Sequence, residues 1–132
     1  MRLLLGGLFL LSVLLLAFGL RLQREGREAL AASDAAFHQG DLKEAVRAAR
    51  KAGLAFVPGS PTVRAARERL LAIARGAEAS GDDRLARRAW DALRTVELRT
   101  DYPGRPASEA AALAEEGLRR VDARLSRAAP AR

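Results

Sequence analysis

The chain contains no cysteine and a single histidine, His38. The first absence excludes disulfides, thiolate metal sites and a lipidated cysteine anchor, and it leaves the redox compartment open. The second leaves too few ligands for a histidine-based metal centre. Aromatics are scarce, with four Phe, one Trp and one Tyr, and β-branched residues are few, so a sheet has little to build from. Proline is absent before Pro58. What is abundant is Ala, Leu, Arg and Glu, all strong helix formers. Composition therefore predicts an all-α fold packed closely through alanines.

Charge is missing altogether from one stretch. Residues 3–20 carry none, with Arg2 before them and Arg21, Arg24 and Arg27 after. As a helix this run spans roughly 27 Å, close to the ~30 Å hydrocarbon core. A signal peptide is the competing reading, with Ala17-Phe18-Gly19 as a weak small-x-small cleavage site. The run stays apolar up to Arg21, which favours a retained anchor. The expectation is a single-pass protein of the bacterial inner membrane. The Lys/Arg excess after the span favours a cytoplasmic domain, whereas a two-residue N-terminal tail held inside would place it outside. The predicted division is an anchor over 1–22, a helical domain over 23–128 and a disordered tail over 129–132.

The net charge is +7, and all but Lys43 and Lys51 of the 23 basic residues are Arg. With so much Ala and Gly, that bias matches a GC-rich bacterial genome. A solvated basic face is the simplest reading. Adhesion to anionic lipid headgroups beside the anchor is the functional one, at about 1 kcal/mol per basic residue near the surface.

Turn signals divide the soluble part into five helices. The first continues the span through Gln39, and Gly40 ends it. Asp41 caps the second, about 42–56, with Glu44 completing an Asp-x-x-Glu capping box. Its inner face is Leu42, Ala45, Val46, Ala49, Ala52 and Phe56. Pro58-Gly59-Ser60-Pro61 breaks the chain, and Ser60 caps a third helix with Pro61 at N1. Val63, Ala66, Leu70, Ile73 and Ala77 give that helix a 3-4-3-4 spacing. Gly81 ends it and Asp82 opens the fourth, lined by Leu85, Ala86, Ala89, Trp90, Leu93 and Val96 and ending near Thr100. After Pro103-Gly104-Arg105-Pro106, Ser108 caps a last helix with Ala114, Leu118, Val121 and Leu125 inward. Arg119, Arg120, Arg124 and Arg127 point outward with Glu115 and Glu116.

Gly40-Asp41-Leu42-Lys43-Glu44-Ala45 and Gly81-Asp82-Asp83-Arg84-Leu85-Ala86 are alike, each at a helix-turn-helix corner. This pattern resembles the tetratricopeptide repeat, whose corner is a Gly-Asp followed by a small residue four positions on. Ala36, Ala45 and Ala52 fall on the repeat's small positions in the first unit. In the second, Ala77 and Ala86 do so, and Trp90 falls on its large aromatic position. The units lie 41 residues apart rather than the usual ~34, and the early Trp-x-x-Leu-Gly portion is absent. The resemblance covers about 29–106 and implies two helical hairpins with a closing helix as cap. The layout is similar to bacterial envelope proteins that carry such repeats on an N-terminal anchor, which implies a protein-interaction scaffold.

No constellation for catalysis stands out. His38 reads as a solvated residue at a helix end, Asp82 as a cap, and Glu115 and Glu116 as an Arg-paired face. The expectation is a protein without enzymatic activity, cofactor or metal. A protein partner would meet the first helices of the hairpins around Ala29, Ser33, Arg67 and Arg75. Trp90 reads as core or as an anchor in a binding groove, and Tyr102 as a loop or lipid-interface residue. An accessory subunit or assembly factor of a larger membrane complex is the alternative. Nucleic-acid binding ranks below both, because stacking aromatics and a recognisable reader are lacking.

Overall fold

The computed structural model describes residues 2–55, 60–100 and 108–128, with side chains from residue 7 onward. Phe56, Pro58, Tyr102, the 103–106 turn and the 129–132 tail lie outside the described residues. The described elements are α1 (Arg2–His38), α2 (Leu42–Leu54), α3 (Pro61–Ser80), α4 (Asp83–Arg99) and α5 (Glu109–Ala128). No strand occurs among the described residues, as the shortage of β-branched and aromatic residues predicts.

α1 is 37 residues long and changes character along its length without a break. From Leu8 to Leu20 its large apolar side chains stand exposed, from 46% at Val13 to 71% at Phe9. Its one hydroxyl there, Ser12 Oγ, donates to the Leu8 carbonyl at 3.0 Å and so needs no outside partner. Beyond Leu22 the same helix buries Gly26, Ala29, Ser33 and Ala36, a 3-4-3 stripe. This part packs on α2 and α3. One helix near the N-terminus is therefore long and apolar enough to cross a membrane and also serves as the bundle's first element.

The two Gly-Asp corners are stereochemically alike. Gly40 and Gly81 adopt left-handed φ of 79° and 78°, where a side chain would be strained. Asp41 N–H donates to Ala36 O and Gly40 N–H to Phe37 O; Asp82 and Gly81 donate to Ala77 O and Glu78 O in the same way. Both sets are Schellman closures. Asp41 then accepts from the Glu44 amide at 3.1 Å, and Asp82 from the Leu85 amide at 3.0 Å. Two expected caps differ. Glu44 does not complete a capping box, because its carboxylate is engaged by Arg47 at 2.7 Å through both Nε and Nη2. Ser60 makes no side-chain cap bond, and Pro61 at N1 lacks the N–H that would otherwise need satisfying.

Burial repeats with the corners. Ala29, Ser33, Ala36, Ala45, Ala48, Ala49 and Ala52 are all buried, and so is every residue 41 positions later: Leu70, Ala74, Ala77, Ala86, Ala89, Trp90 and Leu93. The second set is bulkier because of its place in the stack. α4 is covered by α2, α3 and α5, so the second hairpin buries side chains on both sides. Val63, Ile73, Leu85, Ala92 and Val96 are buried there as well. Close approach depends on two glycines. A Cβ on Gly53 would lie 2.7 Å from Val96 Cγ2, and one on Gly117 would overlap the Trp90 ring.

Candidate interaction surface

Most of the residues expected to meet a partner are engaged inside the domain. Ala29 packs with Ala52 and Ala66. Ser33 is fully buried and donates to the Ala45 carbonyl at 2.8 Å, stitching α1 to α2. Trp90 is 1% exposed, a core residue as its helix-packing position indicates, and not an anchor in an open groove. Arg67 is half-buried; its Nε lies 2.5 Å from Glu97 Oε1 and its Nη2 donates to Thr100 Oγ1 at 2.6 Å. Arg75 alone of the set is exposed on α3, and Tyr102 lies outside the described residues. The five described positions do not form one surface, because the alanine and serine positions lie where helices touch.

Two polar clusters hold the last helix in place. Glu97 is 2% exposed and receives Ser108 Oγ at 2.6 Å as well as Arg67, joining α3, α4 and the start of α5. At the opposite end, Glu78 accepts from Trp90 Nε1 at 2.6 Å, Arg120 Nη2 at 3.2 Å and Arg124 Nη2 at 3.0 Å. Arg124 also reaches Asp83 at 2.8 Å. Burial pushes the Glu78 carboxyl upward, but the bonds from Arg120, Trp90 and Arg124 outweigh it and hold the group below its ordinary range. Glu78 in turn holds the Arg120 guanidinium above its usual value. Arg120 makes the expected i,i+4 pair with Glu116 at 2.9 Å and, together with Arg124 from the same outward face, also clamps α5 onto α3 and α4.

A continuous surface does emerge, on a face formed by α2, α4 and α5. One cleft of about 520 Å³ lies between α2 and α4, and another of about 510 Å³ between α4 and α5. They meet at Arg88 and Asp91, which line both. The walls are exposed basic side chains, Lys43 and Arg50 from α2, Arg88 and Arg94 from α4 and Arg119 from α5. Val46, Ala92 and Leu118 supply a narrow apolar floor. Arg47 and Arg87 are tied to Glu44 and Asp122 at 2.7 and 2.8 Å. The pattern was present in the sequence as Lys43-Arg47-Arg50 and Arg87-Asp91-Arg94, each at i, i+4, i+7, a spacing that puts them on one helix face.

Nothing in this surface assembles acid–base or nucleophilic chemistry. Among the described residues no group of three His, Asp or Glu side chains is placed to hold a metal ion. His38 is exposed at the C-terminus of α1, edge-on to Phe37 at 6.1 Å between ring centres. Comparison of the chain with protein-family models, curated proteins and solved structures returned no match.

Proposed function

We propose that the chain is a membrane-anchored helical interaction module of the bacterial cell envelope, without catalysis of its own. In this reading residues 3–20 cross the inner membrane, and the bundle is a two-unit helical-hairpin repeat of tetratricopeptide type, closed by α5. The observation that carries it is the division within α1. Ten large apolar side chains between Leu8 and Leu20 are exposed, and moving them from water to lipid is favourable by on the order of 10–20 kcal/mol. The helix then enters the bundle without a hinge, so the domain is held rigidly to the span.

Two matching corners and a burial register repeated at 41 residues support the repeat reading. That spacing is longer than the tetratricopeptide's ~34, which makes each helical pair longer than the family's own. Arg21, Arg24 and Arg27 stand at the foot of the domain, where anionic headgroups would meet them. Arg21 and Arg24 are paired with Glu25 and Glu28 at 2.9 and 2.7 Å, which tempers that attraction.

The test is extraction and topology together. Membranes from cells expressing the full chain are washed with alkaline carbonate, and intact and lysed spheroplasts are treated with protease. Retention in the pellet is the expected result; cleavage already in intact spheroplasts puts the domain outside, and cleavage only after lysis puts it in the cytoplasm. Release into the supernatant would overturn the reading.

A further inference from the structure

We propose that the groove formed by α2, α4 and α5 is the docking site for an acidic segment of a partner polypeptide, with carboxylates spaced among apolar residues. This rests on the interaction-module reading and names the partner's chemistry. Several basic side chains elsewhere on the domain are neutralised from within, Arg21 by Glu25, Arg24 by Glu28, Arg64 by Glu68, Arg69 by Asp34 and Arg120 by Glu78, while Arg75 and Arg127 stand singly and apart. Lys43, Arg50, Arg88, Arg94 and Arg119 have no ion-pair partner among the described residues, yet line the two clefts that flank the exposed face of α4 and adjoin at Arg88 and Asp91. Guanidinium groups take carboxylates in a two-point, planar fashion and an ammonium takes them as a point charge, so the four arginines and Lys43 form a set of carboxylate receptors. Val46, Ala92 and Leu118 between them accept aliphatic side chains.

The lipid surface is disfavoured as occupant by the height of the α2 side chains. Ser33 bonds to Ala45, and a Cβ on Gly26 would lie 3.1 Å from Ala55 Cβ. Arg50 and Lys43 therefore stand level with about residues 30–35 of α1, roughly 15–22 Å above Leu20 at the helical rise. Headgroup attraction fades within a Debye length of ~8 Å. A nucleic acid fits less well than a peptide. Asp91 and Glu115 sit among the arginines and would oppose an unbroken row of phosphates, and no aromatic side chain lines the groove for base stacking. In a peptide the same two carboxylates find backbone N–H groups or a basic residue.

The probe is a short fluorescein-labelled peptide of repeating Glu-Glu-Leu order. It is titrated against the full chain in nanodiscs of neutral phosphatidylcholine, with anisotropy as readout. The Arg50→Glu/Arg94→Glu pair is compared with Arg75→Glu/Arg127→Glu, which changes net charge equally outside the groove. Circular dichroism confirms that each variant keeps its helix content, and Arg50→Gln/Arg94→Gln serves as a gentler substitution should the reversal disturb folding. The expected result is a loss of affinity of about tenfold or more for either groove pair and less than about twofold for the control pair. Equal losses in both, no saturable binding by the unsubstituted chain, or displacement of the peptide by poly(U) at lower concentration than by unlabelled peptide would each overturn the proposal. Carbonate extraction of the same chain reads the anchor separately, so a failure of the groove is distinguishable from a failure of the membrane reading.

Discussion

The indole nitrogen of Trp90 donates to Glu78 Oε1 at 2.6 Å, joining the core of α4 to the end of α3 beneath the clamp that Arg120 and Arg124 close over them. A buried Trp N–H without an acceptor would be costly, so the carboxylate serves the core as well as the surface. The arginines attach α5 through the same group.

Stability should therefore fall in acid through Glu78. Its carboxyl is held below the usual range in the folded protein, so the stabilisation is complete above the unfolded value of about 4.3 and is lost as pH drops through the lowered folded value. Urea unfolding followed by the fluorescence of the single tryptophan should show a midpoint that declines below about pH 4.3. Glu78→Gln should unfold earlier at neutral pH, by about 1–3 kcal/mol, and should show a shallower acid decline than the unsubstituted chain.

Two glycines in helices should respond oppositely to alanine. Gly117 faces the Trp90 ring, and a methyl there overlaps it; overpacking predicts a loss of about 1–3 kcal/mol. Gly76 in α3 has nothing within 4 Å of the equivalent position, so Gly76→Ala should gain about 0.5–1 kcal/mol from helix propensity and reduced unfolded-state freedom. Thermal melts of the two variants in the same detergent check both signs. Loss of the Trp90 contact should also red-shift its emission in Gly117→Ala alone.

Half-buried Arg67 and buried Glu97 pair between α3 and α4. Removing one partner takes away a counter-charge while Arg67 keeps its bond to Thr100 and Glu97 its bond from Ser108, and Arg67→Met or Glu97→Met alone should each cost about 1–3 kcal/mol. Making both substitutions together should cost well below the sum, since two apolar side chains can fill the same space. A double-mutant cycle by urea unfolding gives the coupling energy directly.

How far the sequence reveals this architecture depends on the residue. Gly40-Asp41 and Gly81-Asp82 announce both corners because glycine readily takes the left-handed φ that closes a helix and the aspartate after it caps the next one. The inner faces of α3 and α4 are legible for a related reason: Val63 to Ala77 and Leu85 to Val96 are apolar at helical spacing. The binding residues are not legible from the same signals. Ala29 and Ser33 have the small, polar-tolerant character of an exposed recognition face, yet that smallness is what lets α1 and α2 approach within reach of the Ser33–Ala45 bond. The Glu116–Arg120 pair is legible at i,i+4, but the clamp by Arg120 and Arg124 is not, because their acceptor, Glu78, lies 42 and 46 positions away. Which arginines find an internal acid, and which are left facing a groove, is decided by packing between helices that no local pattern encodes.

The membrane reading makes a depth-dependent prediction along α1. An arginine at the middle of a spanning helix costs about 2.5–3.5 kcal/mol of insertion, while one near its end extends its guanidinium to the interface at little cost. Leu11, near the centre of the uncharged run, and Leu20, at its edge, are both exposed, by 54% and 58%. Leu11→Arg should thus shift a large fraction of the chain into the carbonate-soluble pool, and Leu20→Arg should leave it in the membrane pellet. If α1 instead docked into a groove on a soluble partner, bilayer depth would set no order between the two positions. Equal effects at Leu11 and Leu20 would then favour that partner over the membrane. Circular dichroism of both variants, read beside the extraction, separates failed insertion from failed folding of the bundle that begins two turns further on.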